Sequence, residues 1–288
     1  MLQRIISSTL VFCLSLAVLL TLTPSRAHAQ TQFKSIDFPG STETDANDIN
    51  SARTIVGFYI DSAAVTHGFT LAGGTFKTVD VPQSTSTLVY GVNDAGALVG
   101  WYTDTSFVTH GFSRVGTTLT KIDPPGSTLT NAWSINSAGV IVGAYVGTDG
   151  IYHGFIDNAG TYISYDAPGS ILTEILGVNN KNQMVGIYLD STGAQHGFTL
   201  VGTQFKSFDY PGATVTAGDR VNDSGEIVGL HGTSSSGPFM GYTRIGSNFT
   251  NVVFPNSTET RLRGLNNAGV VTGRYTDTAG HIHGMAAK

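Results

Sequence analysis

The stretch His67-Gly68-Phe69-Thr70-Leu71-Ala72-Gly73-Gly74-Thr75-Phe76-Lys77-Thr78-Val79-Asp80-Val81-Pro82 reads as a β-hairpin. Gly73-Gly74 is a two-residue loop that tolerates positive φ, and β-prone runs flank it at 66–72 and 75–81. Loop length sets register. Counting outward from the two glycines places His67 directly opposite Asp80. The same count through Gly116-Thr117, Ala159-Gly160 and Gly202-Thr203 puts His110 opposite Asp123, His153 opposite Asp166 and His196 opposite Asp209. Around Gly246-Ser247 both partners are replaced together, with Met240 facing Val253.

This hairpin is half of a longer unit. Upstream, two short apolar-rich runs, 46–50 and 54–60, read as strands joined by a turn whose other copies include Asn93-Asp94-Ala95-Gly96. Asn50, Asn93, Asn136, Asn179, Asn222 and Asn266 recur at a step of 43 residues, 44 in the last interval. Gly57 and its five equivalents keep the same step, and are read as marking close approach of neighbouring sheets. A Pro closes each fourth strand, usually followed by Gly, as in Pro39-Gly40, the centre of a type II turn. A repeat of this length denotes a solenoid, a propeller or an array.

Four short antiparallel strands per unit and six units predict an all-β fold, a six-bladed β-propeller of four-stranded blades. The phase of the repeat favours a ring. Run 33–38 is a fourth strand with no preceding third, and run 281–286 is a third strand with no following fourth. The N-terminal strand is therefore predicted to complete the last blade, with His283 against Asp37. A β-solenoid, the alternative, needs capping ends and leaves these complementary halves unexplained.

Residues 1–29 read as a secretory signal: Arg4 precedes a mostly apolar run, and Ala27-His28-Ala29 supplies a small-x-small cleavage site. Residues 30–288 are then the six-repeat domain, exported to an extracellular or periplasmic location and free of the membrane after cleavage. The single Cys, Cys13, falls inside the leader, so no disulfide or thiolate metal site is expected. The net charge of −5 becomes more negative once Arg4 and Arg26 leave, which argues against nucleic acid as a partner. A monomer without cofactor or bound metal is the expectation.

The pattern Ile/Val-Asn-x-x-Gly-x-x-Val-Gly-x-Tyr followed by His-Gly-Phe resembles the bacterial HAF family of extracellular repeat proteins, named for a His-Ala-Phe triplet. Gly replaces Ala throughout this chain. The resemblance implies export and a repetitive β architecture, and brings no catalytic residues with it.

A His beside an Asp can serve as base or metal ligand. Here the pairs His67/Asp80, His110/Asp123, His153/Asp166, His196/Asp209 and His283/Asp37 fall on the outer strands of separate blades. They cannot converge on one substrate, and a cross-strand structural role suffices. Residues that differ at one repeat position are better site candidates. The third position before the repeated Asn reads Asn47, Tyr90, Trp133, Leu176, Asp219 and Arg263; two residues earlier stand Asp45, Leu88, Asn131, Glu174, Ala217 and Arg261. If the first strand is innermost, these residues and Arg220 meet at the mouth of the central opening. The predicted ligand-binding set is thus Asn47, Tyr90, Trp133, Glu174, Asp219, Arg220 and Arg263. Flat rings beside amides and carboxylates suit a glycan, another polar small ligand or a protein partner. Drifting loop residues would give the same variety. Three functions compete: a secreted binding or scaffold module, a hydrolase or lyase using Asp45, Glu174 and Asp219, with or without a divalent cation, and a purely structural cell-surface protein.

Overall fold

The computed structural model describes residues 32–288, and the predicted signal lies outside them. The described residues form a β-propeller with no helix. The first complete repeat comprises β2 (Glu43–Ile49), β3 (Ile55–Ile60), β4 (Thr66–Ala72) and β5 (Thr75–Val79), paired antiparallel in that order. Its hairpin keeps the register set by Gly73-Gly74, with Ala72 opposite Thr75 and Gly68 opposite Val79. Beyond the paired residues, His67 Nδ1 meets Asp80 Oδ2 at 2.9 Å. At the Pro turns the following residue has positive φ throughout, including Gln83 (65°) and Asn256 (60°), which lack the glycine's freedom.

The innermost strands are β2, β6 (Ser86–Val92), β10 (Leu129–Ile135), β14 (Leu172–Val178), β18 (Val215–Val221) and β22 (Glu259–Leu265). Each touches the next, and β22 touches β2, so together they enclose an axis. At the end of these strands the repeated asparagines form a closed ring. Asn50 Nδ2 donates to the Asn93 carbonyl, Asn93 to Asn136, Asn136 to Asn179, Asn179 to Asn222, Asn222 to Asn266, and Asn266 back to Asn50, at 2.9–3.4 Å. Each Oδ1 meanwhile accepts a backbone N–H from its own turn, as Asn50 does from Thr54 at 2.9 Å. One side chain thus fixes a turn and latches two repeats.

The ends of the described chain meet as the phase predicts. Strand β1 (Phe33–Ile36) pairs antiparallel with β24 (Ile282–Ala287), which pairs with β23 (Val271–Thr276) and through it β22. His283 Nδ1 lies 2.8 Å from Asp37 Oδ1. Where the sequence predicts six separate blades, four four-stranded sheets stand alone. The repeats 172–208 and 215–252 share one eight-stranded sheet. A single parallel bridge joins them, Gln195 of β16 (Gln195–Val201) to Val215 of β18, and the Gln195 side-chain amide reaches the Thr216 carbonyl at 3.4 Å.

Between neighbouring repeats lie apolar layers. Val56 of β3, for example, packs with Val79, Val89, Val92, Leu98 and Phe112 of its own and the following repeat. Phe69, Phe112, Phe155 and Phe198 of the repeated triplet are fully buried, so they are core, each worth about 3–5 kcal/mol on truncation. The glycine of that triplet brings the sheets together: a Cβ on Gly68 would stand 2.7 Å from Val89 of the next repeat.

Candidate functional site

In all six innermost strands the pairing with the second strand slips by one residue at the same place. The residues left over are Asn47, Tyr90, Trp133, Leu176, Asp219 and Arg263. The varied series read from the sequence is therefore a ring of β-bulges. A bulged residue leaves the ladder and its side chain is re-aimed, which frees the position to carry different chemistry in each repeat. Gly57 and its equivalents are the sequence signal of this. A Cβ on Gly57 would run into the Asp45 carbonyl and the Phe69 ring, both within the same repeat. The reading of Gly57 as a contact between neighbouring sheets is corrected accordingly: the bulge lays the Asp45 carbonyl over it.

Seven of the varied residues, Trp133, Glu174, Leu176, Ala217, Asp219, Arg261 and Arg263, line one cavity of about 170 Å³ near the starts of the inner strands. Arg263 Nη1 is 3.4 Å from Asp219 Oδ1. Arg261 Nε donates to Glu259 Oε1 at 2.6 Å, and its guanidinium lies 4.6 Å from the centre of the Phe239 ring. Within this wall, Asp219 Oδ2, Trp133 Nε1 and Arg263 Nε are buried and have no hydrogen-bond partner. Asp45 Oδ1 and Asn47 Oδ1 on β2 and Arg274 Nε on β23 share that condition.

Burial and crowding set the charges. Desolvation, reinforced by Asp219 and opposed by Arg263, pushes the Glu174 carboxyl up to about 7. Asp219 is likewise raised by its burial, against the pull of Arg263, Arg220 and Arg261. Arg263 is pressed toward neutrality by desolvation, but Asp219, Tyr90, Asp45 and Glu174 outweigh it and hold the guanidinium charged. The Tyr90 phenol is driven well above its ordinary value by burial.

The rest of the predicted ligand set is differently employed. Asn47 is fully buried and donates Nδ2 to the Val89 carbonyl at 2.9 Å, tying one repeat to the next. Tyr90 is buried in an aromatic cluster, stacked on Trp101 at 4.0 Å and edge-on to Trp133 at 4.6 Å. Arg220, predicted at the mouth, is instead a buried plug of the axis. Its guanidinium donates to the backbone carbonyls of Leu176, Asp219, Tyr90 and Trp133, and its Nε lies 3.5 Å from Asp48 Oδ1. The bulges explain this position, because they turn those carbonyls inward to where a single cation can collect them. Asp45 is drawn to Arg274 at 3.5 Å and does not join Glu174 and Asp219 around the cavity.

The outer His–Asp pairs form as the register requires, at 2.8–2.9 Å in all five cases. The sequence reading missed a second carboxylate. His67, His110, His153, His196 and His283 also face Asp61, Asp104, Asp149, Asp190 and Asp277 through Nε2, at 3.1–3.5 Å. The signal was present, since an Asp precedes the His by six residues in four of these five repeats and by four in the other. These clamps encircle the rim on separate sheets. In the repeat without one, Met240 and Val253 are both partly exposed, and His231 instead stacks on Tyr210 at 3.5 Å and bonds Asn251 at 3.0 Å.

No family model matches the chain, and no curated protein matches it. Solved structures do. The chain is similar to AofleA from Arthrobotrys oligospora at 10% identity, over 89% of this chain and 86% of that one, with a TM-score of 0.58. It is similar to the fucose-specific lectin from Aleuria aurantia at 9% identity, over 87% and 93%, with a TM-score of 0.52. The β-propeller domain of the Trilobed protease from Pyrococcus furiosus aligns at 8% identity, over 86% and 94%, with a TM-score of 0.54. At such identities the likeness is one of fold, and the fold is the β-propeller.

Proposed function

We propose that this chain is an exported binding module of the HAF-repeat kind, a monomeric six-bladed wheel that holds a small polar ligand, a glycan in the first instance, in the cavity lined by Trp133, Glu174, Asp219, Arg261 and Arg263. Counting the eight-stranded sheet as two blades is supported by the ring of six asparagines, one from each repeat. The binding reading is carried by one observation: Asp219 Oδ2, Trp133 Nε1 and Arg263 Nε are buried, lack protein partners and belong to residues lining one cavity. Leaving a buried polar atom unpaired costs about 1–3 kcal/mol, and a ligand rich in hydroxyl groups would meet both donors and acceptors there. The neighbouring Trp133 ring offers a flat apolar face for a sugar ring. Similarity of fold to a fucose-specific lectin makes fucosides sensible first compounds.

The test is a glycan and metabolite binding screen of the wild type beside Trp133→Ala. A ligand held by the first and lost by the second supports the reading. Equal binding by both would remove the site from the cavity, and a complete absence of ligands would favour the purely structural role. A second reading, a hydrolase, rests on Glu174 near 7 in the same cavity as Asp219, a pairing that suits acid and base work. Turnover of a bound glycan, lost in Glu174→Gln while binding persists, would select it.

A further inference from the structure

The last repeat carries something the others lack. Two residues before the clamped His stand Val65, Val108, Ile151 and Ala194 in the other clamped repeats, but His281 here. His281 Nδ1 lies 3.3 Å from Asp277 Oδ2, and His283 Nε2 lies 3.5 Å from the same oxygen. All three potential ligand atoms are within 4.8 Å of one another. We propose that Asp277, His281 and His283 bind a divalent first-row transition ion, with Zn²⁺ as the representative.

The distances suit such an ion. Bonds of about 2.0–2.1 Å in a tetrahedron separate adjacent ligand atoms by roughly 3.3–3.4 Å, which two of the three edges already approach. The third can close by rotation of the His281 side chain, which is 69% exposed. The site is also oriented from behind. Asp277 Oδ1 accepts the backbone N–H groups of Ala279 and His281 at 2.8 and 2.9 Å, which fixes the carboxylate with Oδ2 toward the imidazoles. His283 Nδ1 is held by Asp37 at 2.8 Å, and donating its proton there leaves the Nε2 lone pair for the metal. A carboxylate behind a ligating imidazole is the usual supporting arrangement of protein metal sites. Two imidazoles and one carboxylate select a borderline ion over Ca²⁺ or Mg²⁺, and leave a fourth position for water or an outside donor. Because Asp37 follows β1, the ion would also tie the N-terminal strand into the sheet it completes.

Calorimetric titration of untagged, chelator-treated full-length protein with Zn²⁺ tests this. One ion per chain is expected. His281→Ala should weaken it by roughly tenfold or more, and Asp37→Asn, which removes only the supporting carboxylate, by roughly 10–100-fold. Zn²⁺ should raise the melting temperature of the wild type and not that of His281→Ala. His196→Ala, in a clamp without a second imidazole, should bind Zn²⁺ as the wild type does. The proposal is overturned if the wild type takes up no Zn²⁺ at about 100 μM, a concentration that would load even a weak site, or if His281→Ala binds it with unchanged affinity.

Discussion

Asn266 donates its side-chain amide to the backbone carbonyl of Asn50 at 3.1 Å, across a separation of 216 residues. That bond is the last of six equivalent ones and the only member joining the sixth repeat to the first. Asn266→Ala would leave the Asn50 carbonyl with the Arg53 N–H alone and free the N–H groups of Ala268 and Val270 that Oδ1 now accepts. A loss of about 1–3 kcal/mol in denaturant unfolding is expected. A cost indistinguishable from zero would mean that the ring is a consequence of closure and not a support for it.

The axial plug is a stronger dependence. Removing the guanidinium in Arg220→Ala leaves inward-facing carbonyls and the buried Asp48 carboxyl without their cation. A cost of roughly 3–5 kcal/mol is predicted. Asp48→Asn combined with Arg220→Ala should cost less than the two single changes added together, since each single change strands the other's charge. Additive costs would show that the pair is not coupled.

Glu174 makes stability depend on pH in a defined direction. Its folded-state value of about 7 lies above the ordinary value of 4.5, so the native state binds a proton that the unfolded chain has released. Stability therefore falls as pH rises between those values. Glu174→Gln should flatten that part of the wild-type curve, as measured by unfolding midpoints across the range. A curve of unchanged slope would remove the Glu174 carboxyl from the account.

The outer clamps act in the same direction. Burial opposes the charge of His67, His153 and His196, but the paired carboxylates prevail and hold all three above their usual value. Their contribution is complete below the unfolded value of about 6.5 and is lost as pH rises through the folded one. Asp61 and Asp149 are lowered, chiefly by backbone N–H groups, so their share is lost in acid as pH falls through their depressed values. Replacing His67, His153 and His196 together by Gln should lower stability at pH 5 and change it little at pH 9. An equal loss at both would assign the histidines a packing role alone.

Much of this was legible in the sequence because hairpins are local. Gly73-Gly74 fixes its own loop length, so His67 had to meet Asp80, and the complementary end strands had to pair once the repeats formed a ring. The varied series Asn47, Tyr90, Trp133, Leu176, Asp219 and Arg263 was legible as a series. Its destinations were not. A bulge sends each side chain according to the neighbours around it, so Trp133 and Asp219 reach a cavity while Asn47 bonds the adjacent repeat and Tyr90 stacks on Trp101 of its own. Arg220 looked like its neighbours in sequence, and only the inward carbonyls of four repeats show why it is buried. The second Asp of each clamp lay in plain view, but a turn's geometry is needed to know that it reaches back to the His.

The closed ring of inner strands underlies the cavity and the plug alike, and the thermal unfolding of a chain lacking residues 32–38 tests it most directly. Those residues include β1 and Asp37, so their removal exposes the β24 edge and strips His283 of its partner. The closed wheel predicts a melting temperature lower by several degrees or more, roughly the effect of losing a few kcal/mol in a domain of this size. An unchanged melting temperature would contradict it.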